Sequence, residues 1–360
     1  MNYRHAQLLA AEDVGASGTK VIDVDVSKPI SQIDIKFRTT KASEGMSAPG
    51  PANISKIELV SGSTPFHSLS GYENQALAYY NRPGRVMEHG QHTSTLSEVD
   101  QYVIDFGRWL WDEVLAFDPL KFTNPQLRIT YNEALSDTSV TANELEVWAH
   151  IFDEKSISPL GFLSAIEHHN YTCGADNSYE TIELPDDREI RQMLVRAYTD
   201  AYEPWYTIDE ARFDEGTLDR IPWEYTNLEE YYRRMKSQVP PIRTNCQVNL
   251  TTSARNFYFP QTDYWANVLL TGLAVDVAPY VNAVSMRGGK AALKSGSAGQ
   301  MVGAASGYLP WHCYQFPMGL QNTIEDWYNP KGKKPRLRLR ASSSGTNGTG
   351  QVVIEELYRY

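Results

Sequence analysis

The chain has 360 residues, 41% of them apolar, and a formal charge of -11; this is enough apolar material for two hydrophobic cores and the wrong sign for a protein that wraps a genome directly. Its three cysteines, Cys173, Cys246 and Cys313, are too widely spaced to suggest a disulfide framework or a paired metal site. No segment approaches the roughly 20 apolar residues of a membrane helix, and the start of the chain lacks the apolar run of an ordinary signal peptide.

Residues 1–20 precede the first readable element and are set apart as an N-terminal segment. Ile22, Val24 and Val26 then alternate, Pro29 interrupts, and Ile33, Ile35 and Phe37 alternate again, which predicts two short strands or one bent one. Ile54, Ile57 and Leu59 begin a further strand that ends near Ser61-Gly62. Ser70 and Glu73 have capping-box spacing and predict a helix to Asn81, stopped by Pro83-Gly84. Leu127, Ile129 and Tyr131, then Leu145, Val147 and Ala149, form two more alternations that close a first β-domain near Asp153.

A second pattern repeats the first. Phe106 corresponds to Phe316, Val114 to Ile324, Phe117 to Trp327, Pro125 to Pro335, Leu127 to Leu337 and Ile129 to Leu339, always 210 residues apart. The two halves also begin alike, with Val24 opposite Ile182 and Val26 opposite Leu184. A duplicated β-domain accounts for both matches better than one mixed fold does. The boundaries read as an arm at 1–20, a first domain at 21–153, a linker at 154–161 and a second domain at 162–360. Two elaborated loops are expected in the second domain. One spans 200–240, where Asn227 caps a helix from Leu228 to Lys236; the other, at 285–307, is rich in Gly, Ala and Ser and reads as mobile or ordered by assembly.

Chemistry-bearing clusters are few. His168 and His169 are adjacent, so on a strand they point to opposite faces and cannot easily share an ion with Cys173; His312 and Cys313 meet the same objection. No nucleophile-elbow motif occurs, and no catalytic, cofactor or metal residue is assigned; a structural calcium ion is left open without a site. Asp112-Glu113 and Glu325-Asp326 could line a carbohydrate groove, though ordinary solvated or inter-subunit roles are favoured. Arg287-Gly-Gly-Lys290 could cradle an anion but lacks nucleotide-binding spacing. With Leu337 and Leu339 inward, Arg336, Arg338 and Arg340 share the other face, open to solvent, to an acidic neighbouring subunit or to an anionic surface. Trp109, Trp111, Trp223 and Trp265 are candidates for core or interface, among 22 tyrosines and 8 tryptophans in all. Trp109 and Trp111 would share a face if their segment is a strand.

Three stretches carry a family resemblance: ISKIELVSGSTPFHSLSGYENQALAYYNR from Ile54, FGRWLWDEVLAFDPLKFTNPQLRITYN from Phe106, and HNYTCGADNSYETIELPDDREIRQMLVRAY from His169. On these the chain resembles the double jelly-roll major capsid proteins of tailless icosahedral viruses with an internal membrane, bacteriophages in particular. The resemblance implies an all-β fold of two eight-stranded jelly rolls side by side, with short helices in inter-strand loops. It implies homotrimers of pseudo-hexagonal outline that tile a shell around a membrane and DNA genome, with no enzymatic activity. Expected partners are the chain itself, neighbouring capsomers, minor capsid or penton proteins and, on the inner face, the viral membrane; sequence-specific nucleic-acid binding is not expected. Residues 1–20 would lie near the membrane or lock a neighbour, and the protein would reside in the virion shell after assembly in the host cytoplasm. The alternatives are a jelly-roll carbohydrate-binding or carbohydrate-active protein and, less favoured, a minor spike or vertex protein.

Overall fold

A computed structural model of the chain describes residues 1–42, 47–83, 97–136, 140–216, 218–250, 255–263, 267–272, 282–294 and 299–360. The first eight strands are β1 (Tyr3–Asp13), β2 (Ser17–Asp23), β3 (Ile30–Lys41), β4 (Ile54–Ser61), β5 (Thr64–Leu69), β6 (Ser97–Asp105), β7 (Pro125–Asn132) and β8 (Val140–Phe152). They form two antiparallel four-stranded layers, in the orders β1-β8-β3-β6 and β2-β7-β4-β5. Between them lie the inward halves of the alternations, including Ile33, Ile35, Phe37, Leu127, Ile129, Leu145 and Val147. Each is fully buried, contributing about 1.5–3 kcal/mol on transfer from water. Helix α1 (Gly71–Asn81) follows β5, and its start has the expected reciprocal cap: the Ser70 hydroxyl accepts from the Glu73 amide at 3.4 Å, and the Ser70 amide donates to the Glu73 carboxylate at 2.9 Å.

The second half repeats the topology. Strands β9 (Gly161–Thr172), β10 (Tyr179–Glu183), β11 (Ile190–Tyr198), β12 (Ile208–Glu215) and β13 (Arg220–Tyr225) are followed by helix α2 (Leu228–Met235), which Asn227 caps. An insertion then supplies β14 (Ile242–Leu250), β15 (Arg255–Tyr258), β16 (Asn267–Gly272), β17 (Asn282–Arg287), β18 (Lys290–Lys294) and β19 (Gly299–Gly307). The barrel resumes with β20 (Cys313–Pro317), β21 (Pro335–Ala341) and β22 (Thr349–Arg359). Its layers, β9-β22-β11-β20 and β10-β21-β12-β13, match those of the first barrel position for position, around a core that includes Met193, Val195, Phe213, Leu337 and Leu339. The fold is therefore a double jelly roll.

Several expectations are corrected. Residues 1–20 are not a free arm: β1 pairs with β8 from Tyr3↔Phe152 to Asp13↔Glu144, and β2 pairs with β7. Irregularities between Gln7 and Leu9 and between Leu9 and Glu12 break the period-two pattern that would have revealed β1. The N-terminal repeat is out by two residues, since Ile22 pairs with Leu127 as Ile182 does with Leu337, and the Val24 and Leu184 amides bond to Pro125 and Pro335 respectively. A two-residue slip keeps every side chain on its face, so alternation alone cannot detect it. Much of 200–240 is β12 and β13, strands of the barrel itself, and described parts of 285–307 belong to β17, β18 and β19 rather than to a loop. Arg287-Gly-Gly-Lys290 is a hairpin turn joining β17 to β18, with Gly288 and Gly289 at φ 54° and 73°.

Candidate assembly surfaces

The two barrels are welded along a broad seam. β5 pairs in parallel with β9 at His67↔Ala165 and Ser68↔Ile166, which merges one layer of each barrel into an eight-stranded sheet. Helix α1 lies across the outer face of the second barrel's layer, where Leu69, Ala76 and Leu77 pack on Ala165, Leu194, Cys313 and Val353. β11 is accordingly buried along almost its whole length, one face in the core and the other under the seam. At the C-terminal end of α1 a buried ion pair closes the junction. Arg191 donates to Glu355 at 2.7 Å, both only 1–2% exposed, and Asn81 and Gln192 each donate to the same carboxylate at 2.7 Å. The Tyr80 hydroxyl donates to the Cys313 carbonyl at 2.8 Å, and the Trp311 indole to Gln75 at 2.7 Å. Such a seam makes the pair one rigid block.

The seam also brings together two carboxyls. Burial, and secondarily the neighbouring Glu167 on β9, push the Glu73 carboxyl up to about 8. The protonated acid can then donate toward Glu167 while its other oxygen keeps the Ser70 cap.

One end of the molecule gathers exposed apolar side chains among its charged pairs. β1 and β9 start where β8 and β22 finish, and the β5–β9 pairing aligns the barrels, so both chain termini and the inter-barrel linker share this end. The β6–β7 and β20–β21 connections lie there too and are knitted together. Leu160 donates its amide to Val114 at 2.9 Å, the Tyr360 hydroxyl donates to Ala116 at 2.8 Å, and Arg108 reaches across to the Asn322 carbonyl at 2.9 Å. Leu115, Leu163, Ile324, Trp327 and Leu357 cluster beneath, while Leu120 (70% exposed) and Leu320 (66%) project outward along with Trp109, Val114 and Leu160. Isolated exposed hydrophobics are ordinary; five on mutually bonded segments form a patch suited to an apolar partner.

The arginine row lies on the outward face of β21, and two of its three members find counter-charges within the chain. Arg336 donates twice to Asp214, at 2.6 and 2.9 Å, and Arg340 donates at 2.8 Å to both Asp209 and Glu210, all on neighbouring β12. Arg338 lies 3.7 Å over the Tyr179 ring of β10, on the other side. The tryptophans separate. Trp109 is exposed beneath Arg108, whereas Trp111, at φ 68° in an irregular segment, stacks on Tyr3 at 4.3 Å, so the two do not share a strand face. Trp223 is half-buried and packs against the second core, stacked on Phe316 at 5.0 Å, and Trp265 lies outside the described residues.

His168 bonds the Glu183 carbonyl and His169 the Glu180 carboxylate, at 2.8 and 2.9 Å, and among the described residues there is no cluster of three metal-ligating side chains. Asp112 is fully buried, clamped by Arg108 at 2.7 and 3.0 Å and by two backbone amides, while Asp326 accepts from the Leu320 amide at 2.6 Å. Both aspartates shape turns at this end of the molecule. His67 and His312 are buried and held down at about 3 by desolvation, hence uncharged at neutral pH.

No family model matches the sequence, and no curated protein is similar to it. Solved structures are similar over nearly its full length. The major capsid protein of Sulfolobus turreted icosahedral virus (STIV) superposes with a TM-score of 0.61 at 12% identity, covering 99% of this chain and 96% of that one. The major capsid protein P2 from bacteriophage PM2 gives 0.57 at 9% identity, covering 99% and 98%. PBCV-1 VP54, fitted into a reconstruction of the virophage Sputnik, gives 0.58 at 9% identity, covering 99% and 93%. Near-complete coverage in both directions means that the two-barrel arrangement as a whole is shared, so the chain has the same double jelly-roll fold as these three proteins.

Proposed function

We propose that this chain is the repeating coat subunit of an icosahedral virus, assembled as trimers whose six barrels make a pseudo-hexagonal tile. The carrying observation is the rigid, co-oriented pair of barrels that matches three coat-protein structures end to end. A tile must hold its two barrels at one fixed angle if repeated lateral contacts are to add up across a closed shell, and the α1 seam supplies that stiffness. The apolar patch, with Leu120 and Leu320 outermost, faces inward against lipid, and the net charge of -11 leaves the genome to other components. In this reading the protein has no catalytic role, and its further partners are neighbouring capsomers and vertex proteins.

Native mass measurement of the purified protein tests the proposal: a trimer is expected, with hexagonal outlines in negative stain. A stable monomer across salt and calcium conditions, together with sugar-hydrolysing activity, overturns it in favour of the carbohydrate-active alternative.

A further inference from the structure

Arg196 on β11 is a buried cation with no counter-ion among the described residues. It is 8% exposed, its Nε donates to the Trp311 carbonyl at 3.1 Å and its Nη1 to Gln351 at 2.6 Å. Its guanidinium carbon lies 4.4 Å from the centre of the Tyr72 ring and 4.8 Å from that of Tyr198. A guanidinium has about five N–H donors, so most of the fork remains unused, and no carboxylate among the described residues pairs with it. Arg191, five positions earlier on the same strand, has Glu355. Leaving a buried charge unpaired is costly, and a site that tolerates this is a candidate for binding an anion.

Arg196 opens into a small cleft at the end of the molecule where β3 and β11 finish, opposite the chain termini. Three parts of the fold build it: Tyr72 from α1 of the first barrel, Tyr198 from the second, and Tyr258 with the Gly288-Gly289 turn from the insertion. The turn must lack side chains, because a Cβ on Gly289 would come within 2.6 Å of the Phe259 carbonyl oxygen. Among the described residues the other nearby cations are already neutralised, Lys290 by Asp200 at 2.8 Å and Arg287 by Glu203 at 3.0 Å, and His312 in the wall is uncharged. One unit of positive charge is left, on a planar fork that matches a carboxylate. Burial raises the Tyr72 and Tyr198 hydroxyls, which stay protonated as donors beside aromatic faces of the kind that pack against a sugar ring.

We infer that this cleft binds an acidic sugar, a pyranose carrying a single carboxylate, with the carboxylate on Arg196 and the ring among the tyrosines. The site is separate from the aspartates at the end that carries the apolar patch and can be measured on soluble protein, whatever its assembly state.

Saturation-transfer NMR and calorimetry with glucuronic acid and N-acetylneuraminic acid, against glucose and inorganic phosphate, test it. One or both acids should bind while glucose does not and phosphate is weaker. Arg196→Lys, which keeps charge but loses the fork, should weaken the acid by about tenfold or more in protein that remains folded. Because Arg196 is buried, Tyr258→Ala provides a second arm on a half-buried ring, and it too should weaken acid binding. Equal binding of glucose, tighter binding of phosphate, no binding of either acid, or full affinity in a folded Arg196→Lys or Tyr258→Ala protein overturns the inference.

Discussion

Replacing Glu355 by alanine is the most direct way to test whether the seam makes one block of two barrels. Its carboxylate accepts from Arg191, Gln192 and Asn81, each at 2.7 Å and all buried, so its removal leaves a buried guanidinium and two amide donors short of an acceptor. Breaking a buried pair from one side costs about 3–5 kcal/mol, most of it the penalty on the abandoned charge. Removing both charges together, as Arg191→Leu with Glu355→Leu, should restore most of that loss, because no unpaired buried charge remains and only the Asn81 and Gln192 amides stay short of an acceptor. Glu229→Ala, which breaks a half-exposed pair with Arg233 on α2, is the control and should cost about 0.5 kcal/mol or less. Urea unfolding followed by tryptophan fluorescence gives the energies, and limited proteolysis of the linker at 154–161 reports whether the barrels part. A Glu355→Ala loss below about 1 kcal/mol, or one no larger than the control, would refute the claim that this network holds the barrels together.

Stability should depend on pH in two opposing ways. Glu73 has its carboxyl raised from 4.5 to about 8, so its contribution is complete below the unfolded value and is lost as pH rises through the folded one; Glu73→Gln should flatten the decline between those limits. His67 and His312 are lowered to about 3, so their contribution is present above pH 6.5 and is lost on acidification; His67→Gln should reduce the acid-side slope in pH-dependent unfolding. Ser70→Ala removes the cap of α1 and should cost about 1 kcal/mol in the same assay, a value near zero counting against the role assigned to the cap. Leu120→Asp combined with Leu320→Asp should leave the oligomer mass unchanged and abolish co-sedimentation with lipid vesicles; retained vesicle binding would remove the apolar patch from the proposed function.

Much of the architecture can be read from local patterns. Ser70 and Glu73 announce the start of α1 because the capping box is closed within four residues, and Leu127/Leu337 with Ile129/Leu339 reveal the duplication because a strand between two layers must alternate. Other elements were hidden where that logic fails. Bulges obscure β1; β12 carries Glu210, Asp214 and Glu215, whose burial depends on the arginines of β21 and its surroundings; and β19 is built largely of small residues that resemble a loop. The sites were harder still. Nothing near Arg196 in the chain distinguishes it from Arg191, since one meets Glu355 and the other an open cleft only after residues from both barrels converge.

Local spacing thus carries the repeated β-pattern, the inward face of each regular strand and the capped helices, because each depends on neighbours a few residues away. It took the folded chain to make the first residues complete a barrel, to neutralise Arg336 and Arg340 on β12, to weld the barrels through α1 and to leave Arg196 with no counter-ion among the described residues. Those outcomes depend on which distant groups share a low-dielectric volume, and the strength of their interactions is set by burial that no local spacing encodes.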